Sequence, residues 1–154
     1  MKKIFKVGDI FHLPSSKVVF TNGCFDLLHP GHLDYLRKAR ALGDFLVVGL
    51  NSDSSISRIK GKDRPINDFR FRSKMLSYFD FIDLIIEFNE DTPINLIKHV
   101  QPHVLVKGAD YYGKNIVGTD VVLAKEGEIV YVDFIEEYSS TKMVNKILDR
   151  YSNK

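Results

Sequence analysis

Lys17-Val18-Val19-Phe20-Thr21-Asn22-Gly23-Cys24-Phe25-Asp26-Leu27-Leu28-His29-Pro30-Gly31-His32 changes character twice. Residues 17–21 are short, apolar and β-branched, the pattern of a strand buried on both faces. Gly23 then permits a tight turn, and Pro30 suits the first turn of a helix. Leu33, Leu36, Ala39 and Leu42 recur every three residues, which puts them on one helical face, with Gly43 as its stop.

The same alternation repeats outward. Strands are expected at 45–50, 82–88, 104–106 and 129–132, the fourth of the five ending at Lys107-Gly108. Between them lie a polar, glycine-bearing stretch at 51–67, a helix at 69–79 with Met75, Leu76 and Phe79 on one face, and a helix opened by Asp91-Thr92-Pro93. Thr92 is placed to cap that helix and Pro93 to begin it. A last helix starts near Ser139-Ser140 and shows Met143, Val144, Ile147, Leu148 and Tyr151 on one side. Strand alternating with helix means βαβ units, hence an α/β fold: a Rossmann-like three-layer α/β/α sandwich around a parallel five-stranded sheet. Residues 1–16 read as a lead-in, and 1–154 as a single domain.

Composition narrows the classes. The chain has 154 residues, 44% hydrophobic and 27% charged, as in ordinary folded domains rather than disordered or fibrous ones. No apolar stretch approaches the roughly 20 residues that span a bilayer, and charge interrupts the N-terminus too soon for a signal peptide. The net charge of +2 argues against a nucleic-acid partner. One cysteine, Cys24, excludes an intramolecular disulfide framework and favours a reducing, cytoplasmic compartment.

A parallel sheet binds ligands beyond the carboxyl ends of its strands, so chemistry is expected in the segments that follow them. In the first, His29 and His32 share the opening turn of a helix, where N–H groups and the helix dipole favour a phosphate. Gly31 lets a ligand come close. Imidazoles there could donate hydrogen bonds to oxygens whose charge grows during phosphoryl or nucleotidyl transfer. Neither G-x-G-x-x-G after the first strand nor G-x-x-x-x-G-K-[ST] is present, which removes support from a dinucleotide dehydrogenase and a P-loop enzyme. The second segment sets Asp53 among the cations Lys60, Lys62 and Arg64, suited to an anionic substrate. The third puts Lys107 beside Gly108, and the fourth is the hydroxyl-rich Ser139-Ser140-Thr141-Lys142. Taken singly, the basic run is a solvated loop and the serines a helix cap. A zinc site of Cys24, His29 and His32 lacks the fourth ligand that structural zinc takes. The coincidence of four such segments after strands favours one cleft.

These residues resemble a known family. Asn22-Gly23-Cys24-Phe25-Asp26 with His29-Pro30-Gly31-His32, and the late Ser139-Ser140-Thr141-Lys142, resemble the H-x-G-H nucleotidyltransferase superfamily, which includes the cytidylyltransferases. Asn51-Ser52-Asp53, Lys60-Gly61, Arg64-Pro65, Glu90-Asp91-Thr92-Pro93 and Val106-Lys107-Gly108-Ala109-Asp110-Tyr111 look like the heptose 1-phosphate adenylyltransferases of ADP-heptose synthesis. The likeness runs from about residue 17 to 150 and implies a stand-alone form, since the chain has no room for the sugar kinase to which such domains are often joined. It departs at Arg70, where the family usually carries glutamate, two residues before Arg72.

The resemblance implies that D-glycero-β-D-manno-heptose 1-phosphate attacks the α-phosphorus of ATP to give ADP-heptose, a lipopolysaccharide precursor. His29, His32 and Lys107 would be catalytic. Asn22, Gly23, Phe25, Gly31, Gly108, Ser139, Ser140 and Thr141 would hold the nucleotide, and Asp26, Asp53, Lys60 and Arg64 would face the sugar phosphate. Mg²⁺ would arrive with ATP, with no metal site of the protein's own. The partners would be a nucleoside triphosphate, a sugar phosphate and a second copy of the chain, whose dimer contact the aromatic stretch 69–81 could supply. A cytidylyltransferase acting on CTP and glycerol 3-phosphate or another small phosphate is the alternative enzyme. A non-catalytic nucleotide-sensing module is the alternative of another class.

Overall fold

The alternation of apolar runs and helical segments folds into a parallel sheet, but with six strands instead of five. The computed structural model describes residues 3–6, 8–9, 11–133, 135 and 137–152. Its strands are β1 (Ile4–Lys6), β2 (Val18–Gly23), β3 (Phe45–Asn51), β4 (Leu84–Phe88), β5 (Val104–Gly108) and β6 (Glu128–Val132). Its α-helices are α1 (Pro30–Arg40), α2 (Asp53–Lys60), α3 (Phe69–Ser77), α4 (Ile94–Val100), α5 (Thr119–Leu123) and α6 (Ser140–Tyr151), with a 3₁₀ turn at Ala109–Tyr111. No helix among the described residues is long and apolar enough to cross a membrane.

The sixth strand is β1, inside the segment that reads as a lead-in. It pairs with β4, Ile4 opposite Ile85 and Phe5 opposite Ile86. Two apolar residues between lysines are too few to signal a strand, and an edge position asks for no more. α2 is the second addition, within the stretch read as polar loop. Ser52 caps it by accepting from the Ser55 N–H at 3.1 Å, while only Ser55 and Ile56 are buried, so no apolar period marks it. Two assigned helix ends also differ. Pro93 stands at the N-cap of α4 with no side-chain cap bond, so Thr92 does not cap the helix. α1 ends with Ala41 as its C-cap in right-handed conformation, so Gly43 is not the stop. Its lack of a side chain serves close packing instead, because a Cβ there would lie 2.6 Å from the Lys17 carbonyl oxygen and from Val19 Cγ2.

Both faces of the sheet are covered, which is why the inner strands are continuously apolar. Val19, Val48, Leu50, Ile85, Val104 and Val106 pack with Leu36 and Ala39 of α1 and Leu76 of α3. Val18, Phe20, Val47, Ile86 and Leu105 pack on the other face with Leu96, Ile97 and Val100 of α4 and Val122 of α5. Each fully buried side chain of this kind contributes about 1.5–3 kcal/mol. Met75, expected inward beside Leu76, is 38% exposed, as are Phe71 at 52% and Tyr78 at 68%. α3 is too short to bury more than one narrow stripe.

The strand order is β1-β4-β3-β2-β5-β6. From β2 the chain winds one way through β3 and β4, then returns to lay β5 and β6 on the other side. The order therefore reverses between β2 and β5, the switch point where such sheets bind ligands. The ladder there is short, Val19 with Val104 and Phe20 with Leu105. β2 keeps pairing with β3 as far as Gly23 and Leu50. β5 keeps pairing with β6 as far as Gly108 and Val132. β2 and β5 thus part toward their carboxyl ends, and a cleft opens between them.

Gly43→Ala should destabilise the fold by about 1–3 kcal/mol, the usual effect of overpacking against immovable backbone. Thermal or urea unfolding measures it; an unchanged midpoint would show that the 41–44 turn is not close-packed on β2.

Candidate active site

The turn after β2 is built to bring two imidazoles together. A Cβ on Gly23 would sit 2.9 Å from Phe25 Cε2, so glycine is needed for that ring to fold back. Phe25 itself takes a left-handed φ of 44° and is buried. Its ring meets His32 edge-on, 5.3 Å between centroids. His29 occupies the N-cap of α1, the place of a serine or aspartate in most helices; its Nδ1 accepts from the His32 N–H at 3.3 Å. An accepting Nδ1 puts the proton of neutral His29 on Nε2. The two rings stack at 3.7 Å and 20°. Gly31 makes room for this, since a Cβ there would lie 3.1 Å from the His29 ring. His32 Nδ1 is buried with no hydrogen-bond partner among the described residues.

Burial lowers the pKa of both rings, and for His32 neighbouring charge adds to it. Burial, then the charge of His29, then that of Lys60 lower His32 to about 4, against a backbone hydrogen bond with Leu27 that works the other way. Across the cleft Lys107 is lowered to about 8 by burial, with Asp110 opposing. Its Nζ donates to Asn22 Oδ1 at 2.5 Å and lies 5.4 Å from the Tyr111 ring centroid. The cavity between these groups measures about 430 Å³, ample for a mononucleotide-sized ligand.

Most of the residues singled out in the sequence line this cavity: Asn22, Gly23, Phe25, His32, Lys60, Lys107, Gly108 and Ser140. His29 stacks behind His32 and faces a neighbouring depression with Tyr138 and Ser139. Ser139 is the N-cap of α6, accepting from the Lys142 N–H at 3.1 Å. Ser140 Oγ donates to the Leu27 carbonyl at 3.2 Å, which ties the start of α6 to the histidine turn. Thr141 is exposed on the first turn of α6, outside the cavity lining.

Asp26, Asp53 and Arg64 are engaged with protein groups and do not line this cavity. The Asp26 carboxylate accepts from Arg64 Nη1 at 2.8 Å and from the N–H groups of Ile66 and Asn67 at 2.9 Å. Burial would raise its pKa, but these donors outweigh burial and lower it. Asp26 and Arg64 therefore hold the segment 61–67 against the histidine turn. Asp53 accepts from Arg72 Nη2 at 2.7 Å. Arg72 is wholly buried and also donates to the carbonyls of Cys24 at 2.7 Å, Asn51 at 2.8 Å and Asn67 at 3.0 Å. One guanidinium thus joins the ends of β2 and β3 to the lead-in of α3. Arg70 is exposed and supplies none of these acceptors.

Five lining residues carried no signal of their own, among them Ile59 in the polar stretch and Ile116 in the segment before α5. Tyr35 sits within the helix pattern, and Asn115 and Val117 lie in a segment without periodicity, so only the tertiary fold brings them to the cleft.

In ¹⁵N-imidazole spectra His32 should remain neutral at pH 6 and titrate near pH 4. Its folded pKa lies below the unfolded value of about 6.5, so its contribution to stability is present above that value and is lost as pH falls toward 4. A His32 ring titrating near 6.5 would mean that the pair is solvated.

The cytidylyltransferase-like family matches residues 20–146. Among curated relatives, the bifunctional protein HldE of Campylobacter concisus is 55% identical over 133 residues, 86% of this chain and 27% of that protein. The HldE of Campylobacter fetus is 47% identical over 148 residues, 95% of this chain and 31% of that protein. The chain thus spans less than a third of the length of these relatives. The lipopolysaccharide core biosynthesis protein from Thermoplasma volcanium has a solved structure that superimposes with a TM-score of 0.62 at 29% identity, over 78% of this chain and 97% of that one. Pantoate-beta-alanine ligase from Francisella tularensis, 15% identical, shares the fold alone, with a TM-score of 0.57 over 90% of this chain and 72% of its own. A family match that runs from Phe20 at the base of the cleft to Lys146 in α6 takes in every wall of the cavity, and the chain belongs to the cytidylyltransferase-like family of nucleotidyltransferases.

Proposed function

We propose that the protein transfers the adenylyl group of ATP to D-glycero-β-D-manno-heptose 1-phosphate, giving ADP-heptose and pyrophosphate. The observation that carries the transfer chemistry is the stacked His29–His32 pair at the start of α1, with His32 lining a cavity that Lys107 also lines. The heptose assignment rests on the motifs shared with the adenylyltransferases of ADP-heptose synthesis and on the HldE relatives, 47–55% identical over most of this chain.

A phosphate-monoester oxygen of the sugar phosphate attacks the α-phosphorus in line. The new P–O bond forms as the bond to the bridging oxygen breaks, and pyrophosphate leaves with that electron pair. The nucleophile is already an anion, so the protein needs no strong base, and catalysis is positioning plus stabilisation of charge on the phosphoryl oxygens. His29, fixed by its cap bond with the proton on Nε2, backs His32, which is held against it in the cavity lining. Neutral imidazoles admit a polyanion without first releasing a bound counter-charge. As the triphosphate approaches, its field favours the charged imidazoles and strengthens their hydrogen bonds. Lys107, Ser140 and the N–H groups of α6 hold the rest of the chain of phosphates, and Lys60 meets the acceptor. Mg²⁺ enters as part of the nucleotide substrate. Asp91 is the one carboxylate lining the cavity among the described residues and already pairs with Arg58 at 2.7 Å, so the protein would offer few ligands to an ion carried by the nucleotide.

A panel of ATP, CTP, GTP and UTP against heptose 1-phosphate, other sugar 1-phosphates and glycerol 3-phosphate, read by product mass and pyrophosphate release, tests this reading. ADP-heptose should be the dominant product; CDP-glycerol in its place would overturn it. His32→Ala should lower kcat on the order of 10²-fold, as loss of a transition-state donor does. Wild-type turnover in that variant would remove the histidine from the chemistry.

A further inference from the structure

Where β2 and β5 part, a side chain takes over from the ladder. Extending the register past Phe20 and Leu105 sets Thr21 level with Val106 and Asn22 level with Lys107. The Val106 carbonyl accepts from the Tyr35 hydroxyl at 3.1 Å, and the same hydroxyl shares a 2.8 Å hydrogen bond with Thr21 Oγ1. Thr21 and Val106 are fully buried and Tyr35 is 4% exposed. Burying a phenol and a threonine hydroxyl beside an open carbonyl is costly unless each is satisfied, and here they satisfy one another. Tyr35 follows His32 by one turn of α1, and Val106 directly precedes Lys107. One hydroxyl therefore fixes the helix of the histidines to the strand of the lysine. The second bridge across the gap, Lys107 Nζ to Asn22 Oδ1, sits one residue nearer the cavity.

We infer that Tyr35 is a positioning residue: its hydroxyl sets the width of the gap between β2 and β5, and with it the separation between the histidine pair and Lys107. The inference rests on the reading above, that these groups act on one substrate. A phenylalanine would fill the same volume but leave the Val106 carbonyl and the Thr21 hydroxyl to seek water, and the gap would relax toward solvent. Displacement of a positioned group by about 1 Å is enough to lower turnover on the order of 10²-fold.

The test compares Tyr35→Phe, Thr21→Val and the double variant in the full chain. Unfolding midpoint, kcat and KM for ATP are measured, and the Lys107 amine is titrated by NMR with ε-¹³C-lysine labelling. Tyr35→Phe should be less stable, with kcat lower on the order of 10- to 100-fold and KM for ATP changed less. Lys107 should titrate above its wild-type value of about 8, since a wetter gap relieves its burial. The double variant, freed of the orphaned threonine hydroxyl, should recover part of the stability but neither the turnover nor the titration. Turnover that recovers together with stability would reduce Tyr35 to a structural role. A Lys107 titration identical in Tyr35→Phe and wild type would overturn the inference. If the wild-type chain forms no nucleotidyl product with any triphosphate, the proposed function fails, while the Lys107 titration still decides the role of Tyr35.

Discussion

Two parallel strands that cease to pair create a demand that the rest of the site answers. Past Phe20 and Leu105 the backbone of β2 and β5 diverges within a buried sheet, where an unpaired carbonyl costs about 1–3 kcal/mol. The fold meets that cost with the Tyr35 hydroxyl on the Val106 carbonyl, and the Lys107 amine on Asn22 Oδ1 adds a second bridge across the gap. The cavity exists because the strands separate, and it keeps its shape because polar side chains, rather than more ladder, span the separation. Lysine serves here in two capacities. It closes the gap in the free protein, and its lowered pKa marks a charge held in a poorly hydrated place where a polyanion would be its natural counter-charge.

The opposite wall is fixed by buried charge. Arg72 reaches four acceptors from three different segments, and Asp26 gathers Arg64 and two backbone N–H groups. Removing one partner of such a cluster strands the other without water. These clusters therefore behave as fixed corners, and the histidine turn is anchored between them: Cys24 through its carbonyl to Arg72, and Asp26, two residues on, to the 61–67 segment.

The parallel sheet was legible because β2 to β5 must be apolar on both faces, and the positions of the chemistry were legible because each motif follows a strand. β1 and α2 were not, since one buries two apolar residues and the other chiefly Ile56 among serines. A motif also does not say where its charges point. Asp26, Asp53 and Arg64 fall within the recognised segments, yet the fold turns each onto another protein group, because the 61–67 segment folds back over the turn that carries Asp26. Lys60, one residue before that segment, is left in the cavity. Arg70 looks like a reversal of charge at the site until α3 is seen to present it outward. Tyr35 was illegible for the plainest reason: an aromatic residue on a helix with Leu36 and Ala39 looks like packing, and only the opposing strand shows what its hydroxyl does.

The walls of the cavity differ in how they are secured. α1, β2 and β5 are locked into the core, whereas α6 buries none of its residues, and Ile147 and Leu148 are each 54% exposed. Ser140 at its first turn bonds to the Leu27 carbonyl, so its tie to the histidine turn is made at the end nearest the cavity. A helix with few buried apolar contacts opens locally at lower free-energy cost than the core. A ligand in the cleft that binds that first turn would therefore damp the opening of α6 along its length, coupling the cleft to the protein surface through its least buried wall.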